Sequence, residues 1–117
     1  MSLSLRLLLL AVPVLVVGCS KYDGKIIIAD VTKSTQVTLR AAKPSGTVVG
    51  ISIRGRGRLD GTGQIVLILN GRPYRTEELD GNIRFDWTGD WYSPLAEVRY
   101  EPRDANGGQI ELRYRFR

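Results

Sequence analysis

The feature that most constrains this chain is the alternation of apolar and polar residues, which recurs between residues 25 and 117. Successive side chains of a β-strand point to opposite faces, so this alternation predicts strands that each bury one face. Residues 96–100 and 110–116 show it most clearly, with an apolar side chain at every second position. No helical period is found after Cys19. The pattern therefore predicts an all-β fold.

Turn residues separate the predicted strands. Asn70-Gly71 is the strongest hairpin signal, because both residues accept a positive φ, and Pro73 predicts that the returning strand lies at an edge. Lys43-Pro44-Ser45-Gly46 predicts another turn, and the glycines between residues 55 and 63 interrupt the alternation. We predict a single small antiparallel β-sandwich or barrel of about seven or eight strands.

The last two strands are predicted to pair with each other. This register would place Val98 opposite Leu112 in the core and would set two Glu–Arg pairs outside, Glu97 with Arg113 and Arg99 with Glu111. Opposite charges across an antiparallel pair contribute a few tenths of a kcal/mol each.

The N-terminus has the composition of a secretory signal. One positive charge, Arg6, precedes an apolar run over residues 7–17, which is too short for the roughly 20 residues that span a bilayer. The run ends in Val16-Val17-Gly18-Cys19, which resembles the lipobox of bacterial lipoproteins. Its one departure from that pattern is Val16, where Leu is commoner.

This resemblance implies cleavage after Gly18 and attachment of lipid, including palmitate, to Cys19. The chain would then consist of a signal peptide (1–18), a lipidated tether (19–24) and a β domain (25–117). The flexible residues 20–24 would reach only about 12 Å. Ser20, where an Asp would resemble the inner-membrane retention signal, favours the periplasmic face of the outer membrane over the inner membrane. Cleavage by ordinary signal peptidase, leaving a free thiol, is the alternative.

Composition narrows the possible chemistry. The chain has 17 Lys and Arg, 12 Asp and Glu, no His and a single Cys. Without histidine it lacks the commonest general base and metal ligand, and Ser93 has no partner for a Ser-His-Asp triad. We therefore expect no enzymatic activity, no cofactor and no metal. A lipidated envelope protein seldom meets nucleic acid, so we expect no such partner.

Arg54, Arg56 and Arg58 are spaced two apart, so on a strand they would share one face. Gly55 and Gly57 would leave the opposite face open to the close approach of another backbone. Three aligned cations would suit a phosphate, a carboxylate or an anionic headgroup. The alternative is a solvated edge strand whose charges prevent aggregation.

Trp91 and Tyr92 follow Trp87 and the turn residues Gly89-Asp90. Exposed aromatic rings near carboxylates could stack on the sugars of an envelope glycan. Trp87 continues an apolar face and is predicted to be core, whereas Trp91 and Tyr92 would face opposite ways, so that one of them is outward. Packing of the core is the alternative role for this cluster.

Two further sites follow from acidic residues. Asp86 and Asp90 could form the carboxylate pair of a small glycan hydrolase. Asp60-Gly61-Thr62-Gly63 could offer oxygens to calcium, although its spacing is not that of an EF-hand loop.

Our hypothesis is a membrane-anchored envelope lipoprotein whose β domain is a non-enzymatic binding or structural module. Its partners would be membrane lipid, through Cys19, and an envelope protein or glycan. The best contact candidates are Arg54, Arg56, Arg58, Trp91 and Tyr92. An immunity or inhibitor lipoprotein of the periplasm and a small glycan hydrolase are the alternatives.

Overall fold

The computed structural model describes residues 21–42 and 46–117. The predicted signal peptide, Cys19 and most of the turn at residues 43–46 lie outside these residues. Within them the chain forms six strands: β1 (Gly24–Ile28), β2 (Thr35–Arg40), β3 (Gly50–Leu69), β4 (Arg72–Asp90), β5 (Leu95–Pro102) and β6 (Gly107–Phe116). All of the pairings are antiparallel. The all-β prediction is therefore confirmed.

The strand count is lower than predicted because β3 and β4 are unusually long, with 20 and 19 residues. Asn70 (φ 55°) and Gly71 (φ 76°) join them in the predicted hairpin turn. The glycines that interrupt the alternation between residues 55 and 63 lie inside β3. A bulge between Leu59 and Thr62 bends the strand without breaking it.

The bent hairpin divides one sheet into two layers. The first layer contains β1, β6, residues 50–60 of β3 and residues 81–90 of β4; the second contains β2, β5 and the remaining halves of β3 and β4. The result is a nearly closed antiparallel sheet, or β-sandwich.

Both layers contribute to one core. Tyr100 and Ile65 come from the second layer, and Ile53 and Leu112 come from the first; all four are almost completely buried. Tyr100 also donates a hydrogen bond from its hydroxyl to the carbonyl of Val31 at 2.7 Å, which satisfies its buried polar atom.

The predicted pairing of the last two strands is wrong. Val98 lies opposite Val37 of β2 and Leu67 of β3, whereas Leu112 lies opposite Ile26 of β1 and Gly55 of β3. Both side chains are in the core, but β5 and β6 belong to different layers.

The connection between β5 and β6 explains this separation. Arg103 N–H donates to the Thr62 carbonyl at 3.0 Å, and Asn106 N–H donates to the Asp60 carbonyl at 2.9 Å. The connection is thus held at the bulge of β3. From there β5 runs along one half of β3, and β6 runs along the other half.

The predicted tether is held on the domain from Tyr22 onward. Asp23 N–H donates to the Tyr114 carbonyl at 2.7 Å, and an Asp23 carboxylate oxygen accepts the Phe116 N–H at 2.8 Å. Gly24 already belongs to β1. In the part of the chain that the structure describes, no helix has the length and apolar character of a membrane span.

Candidate binding surfaces

The outer face of the first layer carries the three arginines that the sequence singled out, and neighbouring strands add further basic side chains. Arg54 lies opposite Arg113 of β6, and Arg113 lies opposite Lys25 of β1. Arg56 lies opposite Arg84 of β4. We call this surface the basic face. Its cationic residues are Lys25, Arg54, Arg56, Arg58, Arg84, Arg113 and Arg115.

The basic face carries most of the net positive charge of the protein. The registers set three carboxylates, Asp60, Asp86 and Glu111, among the seven cations, which leaves a net charge of +4 on this surface. The whole chain has 17 Lys and Arg and 12 Asp and Glu, so that ten basic and nine acidic residues remain elsewhere. Four of the five net positive charges are therefore concentrated on one surface.

Two of these carboxylates, Asp86 and Glu111, are each shared between two cations. Glu111 lies 3.7 Å from Lys25 Nζ and 3.4 Å from Arg113 Nε. Asp86 lies 3.2 Å from Arg56 Nη2 and 3.8 Å from Arg54 Nε. This sharing positions the cations without neutralising the surface.

The predicted arginines differ in their surroundings. The side chain of Arg56 is 23% exposed and donates through Nη1 to the carbonyls of Gly55 at 2.7 Å and Phe85 at 3.1 Å. The side chain of Arg58 is 66% exposed and lies 3.7 Å from Asp60. The side chain of Arg56 is therefore held against the sheet by hydrogen bonds to strand carbonyls, whereas the more exposed side chain of Arg58 is available to a ligand.

The side chain of Tyr22 lies against the basic face. Its hydroxyl accepts a hydrogen bond from Arg54 Nη1 at 3.1 Å, and its ring lies 6.0 Å from the Arg113 guanidinium. The hydrogen bond from Arg54 lowers the pKa of Tyr22, and the same contact raises the pKa of Arg54. Beside it is a hollow of about 280 Å³, lined by Arg54, Arg56, Glu111 and Arg113.

The interpretation of the arginine segment as a solvated edge strand is wrong. Residues 51–59 of β3 are central and pair with β4 on one side and β6 on the other. The glycines permit this arrangement, as the predicted close approach required. A Cβ on Gly55 would overlap the Phe85 ring, and one on Gly57 would overlap the Gln109 carbonyl.

The structure separates the predicted aromatic pair. Tyr92 is 75% exposed, whereas Trp91 is 5% exposed and donates from Nε1 to the Leu95 carbonyl at 2.9 Å. The ring of Trp91 meets Tyr74 edge to face at 6.0 Å. These side chains lie around a hollow of about 460 Å³, which we call the aromatic groove; its lining is Leu69, Asn70, Tyr74, Asp90, Trp91, Tyr92 and Ser93.

Tyr74 also lines this groove, although no local sequence pattern marks it as a site residue. Tyr74 lies near the start of β4, and Trp91 follows its end. They meet only because the β3–β4 hairpin folds back on itself. Trp87 is buried in the core, as predicted, and its Nε1 donates to Glu77 at 3.1 Å.

The geometry does not fit the hydrolase alternative. Asp86 and Asp90 are on the same strand and four residues apart, which separates their Cα atoms by about 13 Å. The carboxyl groups of a catalytic pair lie about 5–9.5 Å apart, so these two side chains would have to lean toward each other to form one. Asp86 is also engaged by Arg54 and Arg56.

The Asp60-Gly61-Thr62-Gly63 segment serves the bulge. Thr62 donates to Asp104 Oδ1 from its backbone N–H at 2.6 Å and from its hydroxyl at 2.7 Å. Among residues 21–42 and 46–117, no three His, Cys, Asp or Glu side chains converge as a metal site would require.

Comparisons with known proteins gave matches only among solved structures. No family model matches the chain, and no curated protein matches it. A carbohydrate-binding module CBM36 in complex with calcium and xylotriose aligns with a TM-score of 0.41 and 15% identity, over 80% of this chain and 87% of that one. A CBM4 structure aligns with a TM-score of 0.42 and 10% identity, over 81% of this chain and 72% of that one.

A third match is a de novo designed double-stranded β-helix, with a TM-score of 0.37 and 16% identity over 80% of this chain and 96% of that one. All of these TM-scores lie below 0.5. What those proteins bind therefore has no bearing on the surfaces described above.

Proposed function

We propose that this protein is a lipid-anchored, non-enzymatic envelope module that binds a partner bearing phosphate or carboxylate groups through its basic face. The observation that supports this is the concentration of most of the net positive charge, +4, on one surface. The partner class is an anionic envelope glycan or an acidic envelope protein.

The way the sheet holds these cations favours binding of a ligand over a role in which they only face solvent. They project from neighbouring strands, and the central strand β3 carries three of them. Arginine matches phosphate and carboxylate bidentately, and a side chain that is already held loses less entropy when it binds. The sheet thus presents a preorganised set of donors.

The proposed anchor is Cys19. It lies two residues before Lys21, the first residue that the structure describes. Two or three acyl chains on this residue would give stable attachment, because each buried methylene contributes about 0.8 kcal/mol. The domain would then work at the periplasmic face of the membrane, and Ser20 favours the outer one.

The test uses retention of the mature lipidated protein, in non-ionic detergent, on heparin as a polyanion probe. The variant Arg58→Gln with Arg113→Gln removes two charges from the basic face. The control Lys33→Gln with Arg103→Gln removes two exposed charges elsewhere. The pairs are matched, because Arg113 contacts Glu111 and Arg103 contacts Glu78.

We expect the basic-face variant to elute at clearly lower salt than the wild type, and the control to elute like the wild type. Near-UV circular dichroism should be the same for all three proteins. Equal shifts for the two variants would mean that retention follows only net charge, and the proposed binding surface would be wrong.

A further inference from the structure

We propose that one end of the sandwich rests in the headgroup region of the membrane that holds Cys19. This inference rests on the proposed lipid anchor and assigns a surface other than the basic face. The surface is the end of the sandwich at which β1 and β3 begin and β4 and β6 end; we call it the anchor end. The turn between β3 and β4 returns to the same end.

Hydrogen bonds connect the start of the described chain to the aromatic groove across the anchor end. The Asp23 carboxylate accepts from Phe116 N–H at 2.8 Å, and Val49 N–H donates to the carbonyl of Arg117 at 2.7 Å. Trp91 N–H then donates to the Val49 carbonyl at 3.3 Å. The chain therefore enters the domain at the end that carries the groove.

Exposed apolar side chains are concentrated at this end. Among the described residues, six large apolar side chains are exposed. Five of them belong to the anchor end: Val49, Leu69, Tyr74, Tyr92 and Leu95. The sixth, Ile27, lies on the outer face of β1 opposite Glu111. Such clustering marks an interaction surface, and tyrosine is enriched where a protein meets the membrane–water interface.

Basic residues accompany the apolar ones. Arg40 ends β2 and Arg72 begins β4, whereas Lys21 precedes β1 and Arg117 follows β6; the four side chains are exposed. The carboxylates near them are Asp23, Asp90 and Glu97, so that four cations face three carboxylates. Cations at this depth are attracted to anionic headgroups, so the charge of the anchor end suits a bilayer.

The length of the connection identifies the bilayer as the occupant. Only Ser20 separates Lys21 from Cys19, so their Cα atoms are at most about 7 Å apart. A lipid on Cys19 would hold the anchor end at headgroup depth. Such a short link gives the membrane a high effective concentration at this surface, so weak contacts are sufficient for docking.

The experiment places a single fluorescent label at one of two matched positions. Cys19 is the only cysteine, and lipidation consumes its thiol, so a thiol introduced by Leu95→Cys or Ile27→Cys would be the only reactive one. Leu95 is 42% exposed at the anchor end, and Ile27 is 44% exposed away from it. Each labelled, mature protein is reconstituted in vesicles of phosphatidylethanolamine and phosphatidylglycerol.

A nitrobenzoxadiazole label at position 95 should be quenched several-fold more by doxyl-labelled lipid than a label at position 27. Aqueous iodide should give the opposite order. Tyr74→Ser with Tyr92→Ser, added to the Leu95→Cys protein, should return its label to water while the protein still floats with the vesicles. These results would place the anchor end in the interface.

Equal quenching at both positions, or stronger quenching at position 27, would overturn the inference. The first result would mean that the domain moves freely above the membrane, and the second that it lies on the basic face. Flotation of the unlabelled protein tests the lipid anchor separately. Loss of flotation would therefore indicate failure of the proposed anchor and would be distinguishable from failure of docking.

Discussion

At the scale of single residues, Tyr100 combines a buried ring with one essential hydrogen bond. Its hydroxyl donates to the Val31 carbonyl at 2.7 Å, and both residues are almost completely buried. The substitution Tyr100→Phe should lower the free energy of unfolding by about 1–2 kcal/mol, because the carbonyl loses its partner without access to water. Urea unfolding at pH 7 measures this loss.

The same residue predicts a loss of stability at alkaline pH. Burial raises the pKa of Tyr100 above its ordinary value of 10.0, so the unfolded chain loses this proton first. The contribution of Tyr100 is complete below pH 10 and declines as the pH rises toward the folded-state pKa. The difference in stability between wild type and Tyr100→Phe should therefore shrink above pH 10. A constant difference would contradict the prediction.

Position 57 lies within a strand, and its backbone conformation and close packing require glycine there. Its φ of 142° and the Gln109 carbonyl beside it leave no room for a Cβ. We expect Gly57→Ala to cost about 3 kcal/mol or more, because strain and the separation of β3 from β6 act together. Gly89→Ala is the matched control, since no atom lies within 4 Å of its added Cβ. This control should change stability by less than about 0.5 kcal/mol.

At the scale of elements, the contact between Thr62 and Asp104 helps to hold the β5–β6 connection at the bulge of β3. Two donors from Thr62 lower the pKa of Asp104 below its ordinary value of 3.8. The stabilisation is present above pH 3.8 and is lost as the pH falls through the folded-state pKa. Asp104→Ala should lower the melting temperature at pH 7, and its difference from wild type should narrow below pH 3.8. Equal differences at pH 7 and pH 3 would contradict this account.

The sequence predicted local structure well and long-range pairing poorly. Asn70-Gly71 determines its own turn, because the required φ values are a property of those two residues. The alternation around Val98 and Leu112 likewise predicted correctly that both are buried. Alternation does not specify a partner strand, however, and β5 and β6 are kept apart by hydrogen bonds to the distant bulge at residues 59–62.

In the candidate sites, too, the local part was predictable from the sequence and the part that depends on long-range pairing was not. The spacing of Arg54, Arg56 and Arg58 predicted their shared face, because two-residue periodicity is local. The position of Lys25 and Arg113 beside these arginines depends on the pairing of β6 with both β1 and β3. Tyr74 joins the aromatic groove for a similar reason, since only the fold of the long hairpin brings it to Trp91.

At the scale of the whole molecule, apolar exposure and positive charge occupy different surfaces. The anchor end collects most of the exposed apolar side chains of the described chain, and the basic face runs along the strands away from it. If the anchor end docks, the strands of the first layer stand away from the membrane. The basic face would then remain open to an anionic partner while lipid occupies the end.

This arrangement depends on lipid at Cys19, which gives the last prediction. Wild-type protein produced in bacteria should incorporate labelled palmitate, and globomycin should cause its precursor to accumulate. Cys19→Ala should incorporate no palmitate, because the thiol that would carry diacylglycerol is gone. The precursor would keep the apolar run at residues 7–17, so membrane association alone is a poor readout, and covalent label measures the anchor directly. Equal palmitate labelling of Cys19→Ala would rule out Cys19 as the site of attachment, and the short link on which docking of the anchor end depends would be lost.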